Sequence, residues 1–138
     1  MKTFFFFILI ATILLTLSAC LNKGDISYTP DFEHAGGYVI GKEICKANAN
    51  DDEWLIDMSY ELNPPNLNYG DTLTINGIFY KHMIKTTQLM PAYKIVGTKV
   101  SFDFHLSTSK VQSVGCTATN PFTYNLKEMN VLATFKIE

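Results

Sequence analysis

From Lys99 to Ser107 the side chains alternate. Val100, Phe102, Phe104 and Leu106 are apolar, while Ser101, Asp103, His105 and Ser107 are polar. A period of two sends successive side chains to opposite faces, so this stretch reads as a half-buried β-strand rather than an amphipathic helix. The same period runs from Glu53 to Glu61, where Trp54, Ile56, Met58 and Tyr60 share one face. Asp57, Ser59 and Glu61 share the other, with Leu55 the one exception. A third signal is Asn76-Gly77 between Thr72–Ile75 and Ile78–Thr86, because Asn-Gly closes a two-residue hairpin with positive φ at both positions.

The remaining segments fit the same class. Tyr38–Cys45 reads as a first strand, with Gly41 where a bend or bulge would fall. Asn63-Pro64-Pro65-Asn66 and Tyr69-Gly70-Asp71 read as breaks and turns. Thr87–Val96 contains Pro91 and has room for only a short helix. Ser107–Pro121 reads as a long Ser/Thr/Gly/Asn-rich loop carrying Cys116, and Asn130–Ile137 as a last strand. No segment sustains a helical period, so the expected fold is all-β.

The N-terminus follows a different logic. Lys2 precedes an apolar run from Phe4 to Leu17, and Ser18-Ala19-Cys20 closes it. Fourteen residues of helix rise about 21 Å, short of a hydrocarbon core of about 30 Å, which suits a secretory signal better than a spanning helix. Leu17-Ser18-Ala19-Cys20 resembles the lipobox of bacterial lipoproteins. That resemblance implies a signal peptide over residues 1–19, cleavage between Ala19 and Cys20, and lipidation of Cys20 with fatty acyl chains such as palmitate. Two or three buried chains give stable anchoring where one is reversible. Leu21 stands where an Asp retains some lipoproteins at the inner membrane, so the family resemblance implies an outer-membrane location in a two-membrane cell. Residues 20–36 carry Gly, Pro, Asp and Ser without a period and read as a lipidated N-terminus and flexible tether. The β-domain is then expected over residues 37–138, one core's worth of chain.

Composition removes several function classes. The chain has no arginine, its lysines are scattered, and its formal net charge is −2 before cleavage removes Lys2. Phosphate and base recognition lean on the guanidinium fork and on basic runs, so a nucleic-acid partner is not expected. With Cys20 assigned to lipid, Cys45 and Cys116 are the remaining thiols. An exported chain meets an oxidising compartment, so a Cys45–Cys116 disulfide is expected. Closing about 70 residues is worth roughly 4 kcal/mol in the chain-entropy picture. Two buried free thiols are the alternative, and a metal site lacks the ligand spacing it would need.

Chemistry-bearing residues are few. His34 reads as solvated in the tether, and His82 as half-buried with a partner because it shares a face with Ile78, Tyr80 and Ile84. Asp103 and His105 lie two apart on a polar strand face, where they could share a proton or a metal, or form solvated cross-strand pairs. Asp51-Asp52-Glu53 reads as a solvated turn without the alternation of a calcium loop. No Gly-x-Ser-x-Gly or phosphate-cradling glycine run is present, so no catalytic residue, cofactor or metal is expected. Tyr60, Tyr69, Tyr80, Tyr93 and Tyr124 fall near predicted strand ends and could contact a sugar or a protein, while Trp54 reads as core.

The order of bent strand, strand, hairpin, short link, strand, loop and final strand resembles the small OB-like barrel of five to six strands, as in small OB-like envelope lipoproteins. A β-sandwich is the alternative. The resulting expectation is a non-catalytic, lipid-anchored domain of the cell envelope that binds a protein or glycan partner. The alternatives are an enzyme inhibitor or protective lipoprotein using the Cys116 loop, and a small metal-dependent hydrolase using Asp103 and His105.

Overall fold

A computed structural model describes residues 29–64 and 69–137. The expected signal peptide over residues 1–19, Cys20 and most of the expected tether lie outside the described residues. Six strands form one sheet: β1 (Phe32–Lys42), β2 (Trp54–Asp57), β3 (Asp71–Ile75), β4 (Ile78–Thr86), β5 (Lys99–Val111) and β6 (Leu126–Lys136). The pairing order is β2-β1-β5-β6-β4-β3, and β4 also pairs with β2, so five strands close into a ring with β3 outside it. Every pairing is antiparallel except β4 with β6, which are parallel where Lys85 meets Glu128. The all-β class is the one the sequence predicts, and the ring is consistent with a small barrel or a sandwich.

Several sequence expectations hold in detail. Asn76 and Gly77 take φ of 51° and 81° and turn β3 into β4. The β1–β2 register slips between Val39 and Gly41, where a bend was expected. The link after β4 forms one short 3-10 turn at Pro91–Tyr93. In β5, Val100, Phe102 and Phe104 are fully buried, and Leu106 packs against the same cluster.

Several boundaries differ from the sequence reading. β1 begins at Phe32, inside the stretch read as tether, because the Phe32 ring stacks on Phe104 at 5.0 Å and meets Tyr69 edge-on at 4.8 Å. β2 ends at Asp57 instead of continuing to Glu61. There the Asn63 side chain gathers the chain, accepting from Gly36 N–H and donating to the carbonyls of Gly36 and Met58. β5 runs on to Val111 and β6 starts at Leu126, so the loop spans 112–125 and lies further along the chain than the expected Ser107–Pro121. Ser107 sustains that extension: its hydroxyl accepts from Glu128 N–H and donates to the Ser109 carbonyl.

Two apolar clusters result. The larger fills the ring with Val39, Trp54, Ile56, Ile84, Phe102, Phe104 and Met129, among others. The smaller gathers Leu55, Met83 and Leu126 with Ile40, Leu73, Ile75, Tyr80 and Tyr124. Leu55 and Met83 alternate with Ile56 and Ile84, so the second cluster covers the outer face of β2 and β4. Strands buried on both faces lose the polar alternation that an exposed face imposes, which accounts for Leu55.

Phe104 joins the ring interior to the N-terminal segment through Phe32. Phe104→Ala is expected to cost about 3–5 kcal/mol, as for other buried Phe truncations. Urea unfolding followed by Trp54 fluorescence measures it, and a loss below about 1 kcal/mol would show that this core tolerates collapse around the site.

Candidate functional site

The outer face of β4 carries Lys85, whose side chain is fully buried. It is reached by Glu43, just past the end of β1, and by Glu53, just before β2, which the Glu43 N–H to Glu53 carbonyl bond of 2.8 Å holds side by side. The Lys85 ammonium lies 3.2 Å from Glu43 Oε1, 2.9 Å from Glu53 Oε2, 3.0 Å from Ser113 Oγ and 3.2 Å from the Tyr124 carbonyl oxygen. Three of these contacts are hydrogen bonds, one for each ammonium hydrogen, and Glu53 Oε2 is an ion-pair contact outside hydrogen-bond geometry.

Glu43 is equally committed. Its Oε1 also accepts the Tyr124 N–H at 2.8 Å, and its Oε2 accepts the Ser113 hydroxyl. Ser113 lies 3.1 Å from Glu53 Oε1 as well, and its single hydrogen serves one carboxylate at a time. The arrangement's chemistry is cohesive: it neutralises buried charge and ties residues 113 and 124 to β1 and β4.

Those residues bracket a loop, 112–125, that crosses this face. Its middle is pinned by the Cys45–Cys116 disulfide, with Cα atoms 4.4 Å apart. Thr117 and Ala118 N–H groups donate to the Cys45 carbonyl at 2.7 and 3.0 Å, and Ala47 N–H donates to Thr117 Oγ1 at 3.0 Å. Ile44 and Phe122 exchange two backbone bonds of 2.7 and 2.9 Å. The loop nevertheless exposes apolar side chains: Val114 is 78 % exposed, Phe122 57 % and its neighbour Ile44 49 %. A pocket of about 210 Å³ lies beneath, walled by Val111, Val114, Ser113, Glu53 and Asp51. That is smaller than the roughly 300–1,000 Å³ of typical small-molecule sites.

The acidic stretch read as a solvated turn is corrected by this geometry. Asp51 is exposed, but Asp52 is buried and Glu53 belongs to the lysine cluster. Burial alone would raise the Asp52 pKa. The N–H groups of Lys46 and Cys45, then the Lys42 ammonium at 3.1 Å, outweigh it and hold the carboxyl below its ordinary value.

The other expected residues divide. Asp103 and His105 do not meet; each pairs across to the segment before or within β1. His105 Nδ1 lies 3.3 Å from Asp31 Oδ2, and Asp103 Oδ1 accepts the His34 N–H at 2.7 Å with the His34 ring at 3.4 Å. His34 is therefore placed by the fold, at φ 52°, and not by a loose tether. His82 is half-buried and bonds the Tyr69 carbonyl at 3.1 Å, as its strand face predicts. Tyr69 itself is fully buried core, its pKa raised by burial, and is not a surface contact. Tyr60, Tyr80, Tyr93 and Tyr124 are half-buried. Trp54 is core.

Lys85 and Ser113 were not singled out by sequence reasoning. The available signal was Leu55, whose break in alternation shows that a second layer covers the β2 face. Among the described residues no group of three or more His, Cys, Asp or Glu side chains could hold a metal, and no helix is long and apolar enough to cross a membrane. Compared with known protein families, curated proteins and solved structures, the chain matches none.

Two outcomes follow from the cluster. Lys85→Met leaves two carboxylates facing one another and is expected to cost about 3–5 kcal/mol, with Glu43→Leu in the same chain recovering part of it. Chemical denaturation of both variants tests this, and equal losses would contradict the ion-pair account. Asp52→Asn should cost about 2 kcal/mol at neutral pH. Because the folded carboxyl is the stronger acid, its contribution is complete above its ordinary value of 3.8 and fades as pH falls through the lower folded value. The wild-type advantage over Asp52→Asn should therefore narrow as pH falls below 3.8, as read from urea midpoints.

Proposed function

We propose that this chain is a cell-envelope lipoprotein, held at the outer membrane by lipid on Cys20, whose β-domain is a non-catalytic module that binds a partner protein. The observation that carries the binding reading is the loop 112–125: a rigid segment that displays apolar side chains to solvent. Exposed apolar groups cost nothing to desolvate on docking, and a loop already tied down loses little conformational entropy when bound. Val114, Phe122 and Ile44 form that display, with the Phe122 ring edge-on to Tyr124 at 5.0 Å. The polar groups below them serve the fold. A pocket too small for most metabolites still admits one protruding side chain of a partner.

The test is a photo-crosslinker at position 114 of the tagged full-length chain in its native host, with a control crosslinker at Thr72. One protein should be captured at Val114 and not at Thr72, and the purified partner should bind Phe122→Ala at least tenfold more weakly than wild type. Equal capture at both positions, or unchanged affinity of Phe122→Ala, would remove the loop from the interface.

A further inference from the structure

Closing a sheet into a ring removes its edges, and the five ring strands each have a neighbour on either side. β3 is the exception. It pairs with β4 alone, so one of its borders is open. The two-residue Asn76-Gly77 turn makes Ile75 and Ile78 a hydrogen-bonded pair, and antiparallel alternation makes Leu73 and Tyr80 the next. The N–H and C=O groups of Thr72 and Thr74 therefore point away from β4. Both residues are exposed, and among the described residues no hydrogen bond reaches those groups.

Folded chains blunt such borders with lysine, proline, bulges or covering segments. β3 reads Asp71-Thr72-Leu73-Thr74-Ile75, without lysine or proline. Its one charge, Asp71, is buried at the root of the hairpin, 3.1 Å from Lys110 Nζ and accepting the Lys127 N–H at 2.7 Å. The register slip in this ladder lies at the root as well, between Asp71 and Leu73. From Leu73 to Tyr80 the hairpin is regular and uncharged, and it exposes Ile78 and Phe79.

The open border is also self-complementary. Thr72-Leu73-Thr74 reads alike in both directions, so a twofold axis at Leu73 sets Thr72 of each copy against Thr74 of the other. Both threonines turn their backbone groups outward, so each such pair exchanges both of its bonds, and threonines are favourable cross-strand neighbours. Leu73 and Tyr80 belong to the smaller apolar cluster, and the Leu73 contact on the axis continues that row from one copy into the next. Centring on Thr74 instead would set Thr72 against Asn76, which its φ of 51° takes out of the strand. In the Leu73 register no like charges oppose one another, because Asp71 of each copy falls against Ile75 of the other. We propose that two copies of this chain pair antiparallel through β3, joining their sheets across Leu73. The contact is small, so dissociation at roughly micromolar concentration or above is expected. The pairing depends on neither the lipid anchor nor the loop at Val114.

Single cysteines in the full-length protein in detergent test the register, with the wild type oxidised alongside as control. Residues facing each other at a non-hydrogen-bonded antiparallel position have Cα atoms about 4.5 Å apart, within disulfide range. Leu73→Cys should therefore oxidise to a linked dimer, while Ile75→Cys, on the same face but far from its own counterpart, should not. Sedimentation of the wild type should show a reversible monomer–dimer equilibrium. Thr72→Lys/Thr74→Lys should weaken it at least tenfold with circular dichroism unchanged, because each lysine then opposes another. Thr74→Pro, which removes an outward N–H and no bond to β4, should act in the same direction. Phe122→Ala should leave the equilibrium unchanged, which separates this contact from the loop. A crosslinker at Thr72 should capture a second copy of the chain, a product distinct in mass from the partner captured at Val114. A wild type that stays monomeric to about 1 mM, a dimer undiminished in both threonine variants, or equal oxidation at positions 73 and 75 would each overturn the proposal.

Discussion

A buried lysine on the outer face of β4 organises everything that distinguishes this domain from a bare ring of strands. Lys85 cannot be buried alone, since an unpaired ammonium in a dry interior carries a large desolvation penalty. Glu43 and Glu53 supply the countercharge, and both stand where strands end, so the termini of β1 and β2 are held together by it. Two carboxylates against one ammonium leave acceptor capacity over, and the loop fills it with the Ser113 hydroxyl and the Tyr124 N–H. The loop's ends are therefore required by the charge balance beneath them.

The disulfide acts on the same segment from the other side. Cys45 and Cys116 belong to neither apolar cluster, so the bond contributes by restraining the chain and not by filling the core. It fixes the middle of the loop, while the ion cluster fixes positions 113 and 124. Between those three attachments the apolar side chains of Val114 and Phe122 face outward because their backbone is already committed. The rigidity is thus distributed: covalent at Cys116, electrostatic at Ser113 and Tyr124, and β-like where Phe122 meets Ile44.

The parts of this structure that were legible in the sequence are those with local causes. Alternation from Val100 to Leu106, the Asn76-Gly77 turn and the proline after β4 each act within a few residues, and each appears where it was read. The start of β1 was not legible, because Phe32 is held by rings at Tyr69 and Phe104, far along the chain. Asp51-Asp52-Glu53 looked solvated for the same reason: the partners of Asp52 and Glu53 are backbone donors before the turn and a lysine two strands later. Tyr69 beside a Gly-Asp turn has the composition of a loop, yet it closes the ring interior. Leu55 alone announced the second layer. One misplaced apolar residue could say that a face is covered, but not that the cover contains an ion cluster.

Strand β1 relates the proposed anchor to the rest of the domain. Its first residues receive the N-terminal segment, through Asp31 against His105 and His34 against Asp103, and the chain just beyond its last residue reaches Glu43 and Cys45. Eleven residues of straight strand span about 35 Å, and the irregularities near His34 and at Gly41 shorten this somewhat. The N-terminal junction and the disulfide-pinned loop thus lie at opposite ends of one strand. A lipid on Cys20 would attach at the end away from Cys45, so a partner docking on Val114 and Phe122 would not have to displace the N-terminal segment from His105 and Asp103.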